Sequence, residues 1–132
     1  MKDRFDSAFK RLMIFEGGHV IDERDPGGET KYGISKRSYP DINIKSLTKQ
    51  QAKEIYRKDW WEKYKYEKMA TMCDGDYSEI AIRLFILAVN IGPKNAHKCL
   101  QRALISCGEE LDVDGIIGGA TKSLLLSNGH RI

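Results

Sequence analysis

The sequence predicts a mainly α protein with a small β element, on three observations. Apolar residues recur at helical spacing in several separate stretches. Runs with the two-residue alternation of strands are scarce. The one long stretch without helical logic, residues 19–34, is dense in turn residues. A chain of 132 residues, 41% apolar and 31% charged, has the make-up of a single ordinary globular domain. At this length folding buries roughly two-thirds of the unfolded surface, enough for a core without staples.

The elements follow in chain order. Phe5, Ala8, Phe9, Leu12 and Phe15 form one apolar stripe, which predicts a helix from Asp3 to about Phe15, closed by Gly17-Gly18. Asp25-Pro26-Gly27-Gly28 is a strong turn, and Val20-Ile21 and Lys31 to Ile34 on its two sides are placed to pair as a short hairpin. Thr48 and Gln51 have the spacing of a capping box and open a helix whose apolar positions are Ala52, Ile55, Tyr56 and Trp60. Ser78 is the expected cap of the next helix, Glu79 to about Ile91, which is apolar on most sides and so expected to be central. Gly92-Pro93 ends it and starts another, with proline in the first turn, running to near Gly108 through Ala96, Cys99, Leu100, Ala103 and Leu104. Residues 112–119 read as a loop and Ala120 to Leu126 as a short last helix.

Composition narrows the function classes. The longest apolar run, Leu84 to Val89, is far too short to span a bilayer, so no stable membrane insertion is expected. The chain opens on Met1-Lys2-Asp3-Arg4 and passes straight into an amphipathic pattern, with no signal-peptide pattern. The net charge of +3 is uneven: residues 45–68 hold eight Lys and Arg against four Asp and Glu. That excess suits an anionic partner but falls short of a nucleic-acid footprint, and no nucleic acid is expected. Cys73, Cys99 and Cys107 give neither a disulfide framework nor a metal motif, so reduced thiols, no metal and no cofactor are expected.

Glu16 is the sharpest candidate for chemistry. It follows Leu12-Met13-Ile14-Phe15 and precedes two glycines, which places a carboxylate at a helix C-terminus beside apolar neighbours. The helix dipole and desolvation both disfavour its charged form, as a general acid near neutral pH requires. Asp25 lies nine residues on and Thr30 five beyond it. A glycosidase needs one carboxyl group to protonate the leaving oxygen and a second group to handle water or to attack. Asp22, Glu23 and Glu29 compete with Asp25 for the second role. Further along, Tyr56, Trp60, Trp61, Tyr64 and Tyr66 are interleaved with Arg57, Lys58, Lys63 and Lys65. Of these rings Tyr56 and Trp60 are expected in the core, leaving the others free to stack on sugars. His19 and Asn90 are lesser candidates, Asn90 also having the position of a helix cap.

Glu16-Gly17-Gly18 followed by Asp25-Pro26-Gly27-Gly28-Glu29-Thr30-Lys31-Tyr32-Gly33-Ile34-Ser35 resembles the signature of glycoside hydrolase family 108, bacterial and phage muramidases also labelled secretion activator proteins. Four later blocks are similar to the family in the same order. They are Leu47-Thr48 to Trp60, Ala88-Val89-Asn90-Ile91-Gly92-Pro93, Leu100 to Leu104, and Val113-Asp114-Gly115-Ile116-Ile117-Gly118 to Thr121. The likeness runs from about Phe5 to Leu125.

The resemblance implies a lysozyme-like helical domain spanning 1–132, with a catalytic part over 1–92 and a shortened peptidoglycan-associated helical part over 93–132. It implies an endolysin-type muramidase that cleaves the β-1,4 bond between N-acetylmuramic acid and N-acetylglucosamine, with Glu16 as catalytic acid. The Glu-Asp-Thr order, similar also to that of phage lysozymes, gives Asp25 and Thr30 to water placement. Tyr32, Trp61, Tyr64, Asn90 and His19 are the expected substrate contacts. The partner is the peptidoglycan glycan strand, and a holin-type export partner would carry a protein made in the bacterial cytoplasm to the wall, in the periplasm or outside. The sequence departs from the family pattern at His19, in place of an aromatic residue, at Ile86, in place of an Asp, at Gly119, in place of a proline, and in stopping at Ile132. A lytic transglycosylase using Glu16 alone and a catalytically reduced wall-binding module are the other readings within the resemblance. A helical nucleic-acid or protein-interaction domain lies outside it.

Overall fold

The computed structural model describes residues 4–15, 19–21, 28–71 and 76–128. Its elements are mainly helices with one small antiparallel sheet, the expected fold class. The chain divides into two compact units, Met1–Asp59 and Trp60–Ile132.

In the first unit, helix α1 (Arg4–Phe15) buries Phe5, Ala8, Phe9 and Leu12, the stripe that its periodicity marks. Phe15 corrects that pattern: at the last position of the helix it stands 70% exposed, beside Ile14 at 76%. Strands β1 (His19–Ile21), β2 (Glu29–Lys31) and β3 (Ile34–Ser35) form a sheet in that order. β1 pairs with β2 through His19↔Lys31, Val20↔Thr30 and Ile21↔Glu29, which corrects the expected hairpin: Val20-Ile21 pairs with Glu29-Thr30, and the stretch from Lys31 to Ile34, expected as its second strand, instead holds the turn into β3. The second hairpin is new. Lys31 faces Ile34, leaving two turn residues, Tyr32 (φ 53°) and Gly33 (φ 80°). Positive φ at both positions is the two-residue turn whose twist matches that of the strands. Glycine takes it freely, but tyrosine is strained there. The Tyr56 hydroxyl donates to the Tyr32 carbonyl at 2.8 Å and holds the turn.

A 3-10 turn (Ile44–Ser46) leads to α2 (Lys49–Tyr56), which starts with the capping box complete. Thr48 Oγ1 accepts from the Gln51 amide at 3.1 Å, and Gln51 Oε1 accepts from the Thr48 amide at 2.8 Å. Phe9 packs on Tyr56 with ring centres 6.1 Å apart, the Arg57 guanidinium lies 4.7 Å from the centre of the Phe5 ring, and Lys53 pairs with Asp6.

A π-helical turn follows over Arg57–Glu62. It corrects the expected core. The α period from Tyr56 points to Trp60, but π winding advances the same face by about five residues instead of four. Trp61 is therefore the indole that is buried, at 2% exposure, while Trp60 is half-buried. In the second unit Trp61 meets Phe85 edge-on at 5.6 Å and Tyr66 at 5.9 Å.

Tyr66 opens α3 (Tyr66–Ala70), after Lys65 in the left-handed region at φ 58°, ψ 40°. Helix α4 (Ser78–Ile91) buries Ala81, Ile82, Leu84, Phe85 and Ala88. Ser78 is its first residue and not its cap: the Ser78 amide donates to Asp76 Oδ1 at 3.1 Å. Gly92 (φ 92°) turns the chain into α5 (Pro93–Ser106), with proline at its start as expected. The last helix, α6 (Gly119–Asn128), buries Thr121, Leu125 and Asn128 and extends past the expected range at both ends.

Candidate functional site

The residues expected to carry chemistry divide by what the structure describes. Glu16 and Asp25 lie outside the described residues, and so does the side chain of His19, whose backbone is in β1. Thr30 is described: it is the middle residue of the central strand β2, paired with Val20 on one side and Ser35 on the other, and is half-buried. Tyr32 is two residues on in the tight turn, half-buried, with the Lys31 ammonium 5.7 Å from its ring centre. Thr30 and Tyr32 therefore stand on one short, hydrogen-bonded scaffold. α1 ends at Phe15, next to Glu16 in the chain, and β1 begins three residues after Glu16.

The second unit holds the other expected contacts. Trp61, at 2% exposure between Phe85 and Tyr66, has no face open to a sugar, so its assignment to stacking is corrected to core. Asn90 is exposed in the last turn of α4, and the residue that caps this helix is Gly92. Tyr64 is half-buried, tilted against Tyr66 at 6.1 Å and edge-on to His97 at 5.6 Å. The Lys63 ammonium lies 5.5 Å from the Tyr64 ring centre.

Two buried polar residues are absent from the expected list. His97 Nδ1 lies 3.0 Å from the Gly115 carbonyl, which only accepts, so Nδ1 carries the proton and donates. Nε2 is then the acceptor for the Tyr66 hydroxyl at 2.8 Å. Burial pushes the Tyr66 hydroxyl well above the usual phenol range, with a smaller contribution from Tyr64. Burial also lowers the His97 pKa, outweighing the opposite pull of the Gly115 carbonyl. Folding therefore favours neutral His97. Its contribution to stability is complete above the ordinary histidine value of about 6.5 and falls as pH drops below it. The thermal midpoint should fall between neutral pH and pH 5, and His97→Gln should flatten that part of the profile. An unchanged profile in the variant would mean that other groups govern it.

Gln101 is the second. At 1% exposure, its Nε2 lies 2.9 Å from Asp114 Oδ1, 3.0 Å from the Ile116 carbonyl and 3.2 Å from Thr121 Oγ1, and its Oε1 accepts from the Gly115 amide at 2.9 Å. The Gln101 bond, then that from the Ile116 amide, hold the Asp114 carboxyl below the usual carboxylate range. This network shapes the 112–118 loop. The only sequence signal for it was the Asp114-Gly115 pair, since a glutamine on a helix is ordinarily a solvent-facing residue. Among the described residues no group of three or more His, Cys, Asp or Glu is placed to hold a metal ion.

The profile of the family described as Glycosyl hydrolase 108 matches residues 9–92, more than half of the chain. The chain belongs to this family. Among solved structures, "Structure of Brucella abortus SagA" is similar to this family 108 chain with a TM-score of 0.69 and 27% identity, over 93% of this chain and 68% of that one. No curated protein matches. Membership of family 108 makes this a glycosidase-type chain with a mainly α, lysozyme-like fold. The matched span holds the later part of α1, the sheet, α2, α3 and α4, and with them Glu16, Asp25 and Thr30.

Proposed function

We propose that the chain is an N-acetylmuramidase that hydrolyses the β-1,4 bond between N-acetylmuramic acid and N-acetylglucosamine in peptidoglycan. The observation that supports it most is the family 108 match over residues 9–92, the span in which Glu16, Asp25 and Thr30 fall. In this reading Glu16 gives its proton to the glycosidic oxygen as the C1–O bond breaks. A water held by Thr30 attacks C1 from the opposite face and loses its proton to Asp25. Such an inverting course needs the two carboxyl groups roughly 6.5–9.5 Å apart, with room for the water, against about 5–5.5 Å for a retaining enzyme with Asp25 as nucleophile. The site of action is the cell wall, and a holin-type pore is the partner that would admit the protein to it.

Digestion of purified peptidoglycan, with the sugar ends identified by mass, tests the reading. Reducing muramic acid ends are the expected product. Anhydro-muramic ends would replace hydrolysis by transglycosylation, in which the sugar's own hydroxyl displaces the leaving group and Glu16 suffices. An absence of products would leave a wall-binding module.

A further inference from the structure

We propose that the cleft bounded by Lys63, Tyr64, Lys65 and Lys94 in the second unit binds a saccharide bearing an oxyanion. The carboxylate or phosphate would lie among the ammonium groups, and the sugar's C–H face against the accessible part of the Tyr64 ring. The cleft holds about 410 Å³, within the range of small-ligand sites and large enough for a sugar unit with its substituent. None of its lining residues is acidic, and none of the three lysines is ion-paired among the described residues. Lys63 lies over the Tyr64 ring, which sets cation and aromatic surface side by side. Pro93 and Lys94, the first two residues of α5, line the same cleft, and Gly92 before them offers no side-chain cap, so the positive end of a 14-residue helix adds to the lysine charge.

Two backbone features keep this arrangement. Lys65 has φ 58°, a strained conformation that glycine would relieve, yet the position carries a third cation. Gly115 (φ 78°) lies under Lys94: a Cβ there would come within 2.8 Å of Lys94 Cγ and 3.0 Å of the Lys94 carbonyl. The missing side chain lets the stem of Lys94 lie along the cleft. His97, held neutral between Tyr66 and Gly115, lines the cleft without adding charge.

The choice of a wall polymer as ligand rests on the muramidase reading above; the cleft itself does not. Two wall components share the required chemistry: peptidoglycan, through the carboxylates of its peptide stems, and phosphodiester-linked sugar polymers. The test is equilibrium binding of the full chain, in a Glu16→Gln background that spares the wall. The probes are sacculi stripped of phosphodiester polymer and, separately, poly(N-acetylglucosamine 1-phosphate). Lys63 and Lys94 are exposed, so Lys63→Gln with Lys94→Gln should keep the thermal midpoint. That variant should bind roughly tenfold more weakly at low salt, with the difference shrinking at high salt. Loss on the sacculi names the carboxylate, and loss on the sugar phosphate polymer names the phosphate. Lys10→Gln with Lys68→Gln removes the same charge at exposed positions outside the cleft and should bind like the parent. Equal loss in this control, equal binding by parent and cleft variant on both probes, or no binding of either probe by the parent would overturn the proposal. Failure of the muramidase reading would appear separately, as an absence of sugar products from the parent's digestion of peptidoglycan.

Discussion

Glu16→Gln should reduce the release of sugar ends from purified peptidoglycan by at least the contribution of a general acid, about 10²–10⁴-fold, and leave the fold intact. Glutamine matches the shape of glutamate but has no proton of the right acidity to give to the glycosidic oxygen. The helix before it, α1, ends at Phe15 without a basic residue in its last turn. Removal of a negative charge next to that end should raise stability by about 0.3–1 kcal/mol if it changes it at all. The measurement is a paired one, initial rate on purified wall and thermal midpoint. Full activity with an unchanged midpoint removes Glu16 from the chemistry, and a collapsed midpoint makes it structural. Asp25→Asn belongs in the same series and should cost less, because an amide still orients water though it cannot accept its proton. Asp22→Asn is the control and should matter little. Were Asp22 essential and Asp25 dispensable, the assignment of the second carboxylate would move to Asp22.

The second large effect concerns stability. Gln101→Leu fills the same volume in α5 but removes all four of the hydrogen bonds made by the side chain. The Gly115 amide, in a buried residue, loses its acceptor, and the Ile116 carbonyl and Thr121 hydroxyl lose a donor. The Gly115 amide is left alone at a cost of about 1–3 kcal/mol, whereas Thr121 Oγ1 still donates to the Ile116 carbonyl at 3.5 Å, so a total of about 1–3 kcal/mol is expected. In a chain of this length that lowers the thermal midpoint by about 4–12 °C. The Asp114 carboxyl, freed of its strongest partner, should titrate closer to the ordinary aspartate range, which an NMR titration would show. A loss below about 1 kcal/mol would mean that water replaces Gln101 in the loop.

The parts of the fold that were legible in the sequence are those with a long local period. α1, α4 and α5 each repeat the 3.6-residue pattern for three turns or more, and the Thr48–Gln51 box is a signal complete within four residues. The parts that were not depend on contacts distant in sequence or on a change of period. Strands of two or three residues are too short to show alternation, and the turn at Tyr32-Gly33 lacks the Asn or Gly that usually marks its first position. The π turn adds a residue to the count, and every inference about burial that extends an α period across it is off by one, as at Trp60 and Trp61. The site divides in the same way. Glu16 is a candidate because an apolar run and a glycine pair frame it in the sequence, and Thr30 because it shares that segment. Gln101 and His97 could not be singled out, since what distinguishes them is the 112–118 loop folded over α5.

The strained Tyr32 turn and the Tyr56 hydroxyl that holds it make two positions, 24 residues apart, interdependent in evolution. While residue 32 has a side chain at φ 53°, loss of the phenol oxygen at 56 removes the bond that fixes an unfavourable backbone. A lineage that places glycine or asparagine at 32 relaxes the turn, and phenylalanine at 56 then becomes tolerable. The permitted order of change is therefore directional, 32 before 56. The intermediate that has phenylalanine at 56 and still a bulky residue at 32 should be rare among descendants. Because the turn follows Thr30 by two residues, that ordering would constrain drift around the sheet through the backbone bond alone.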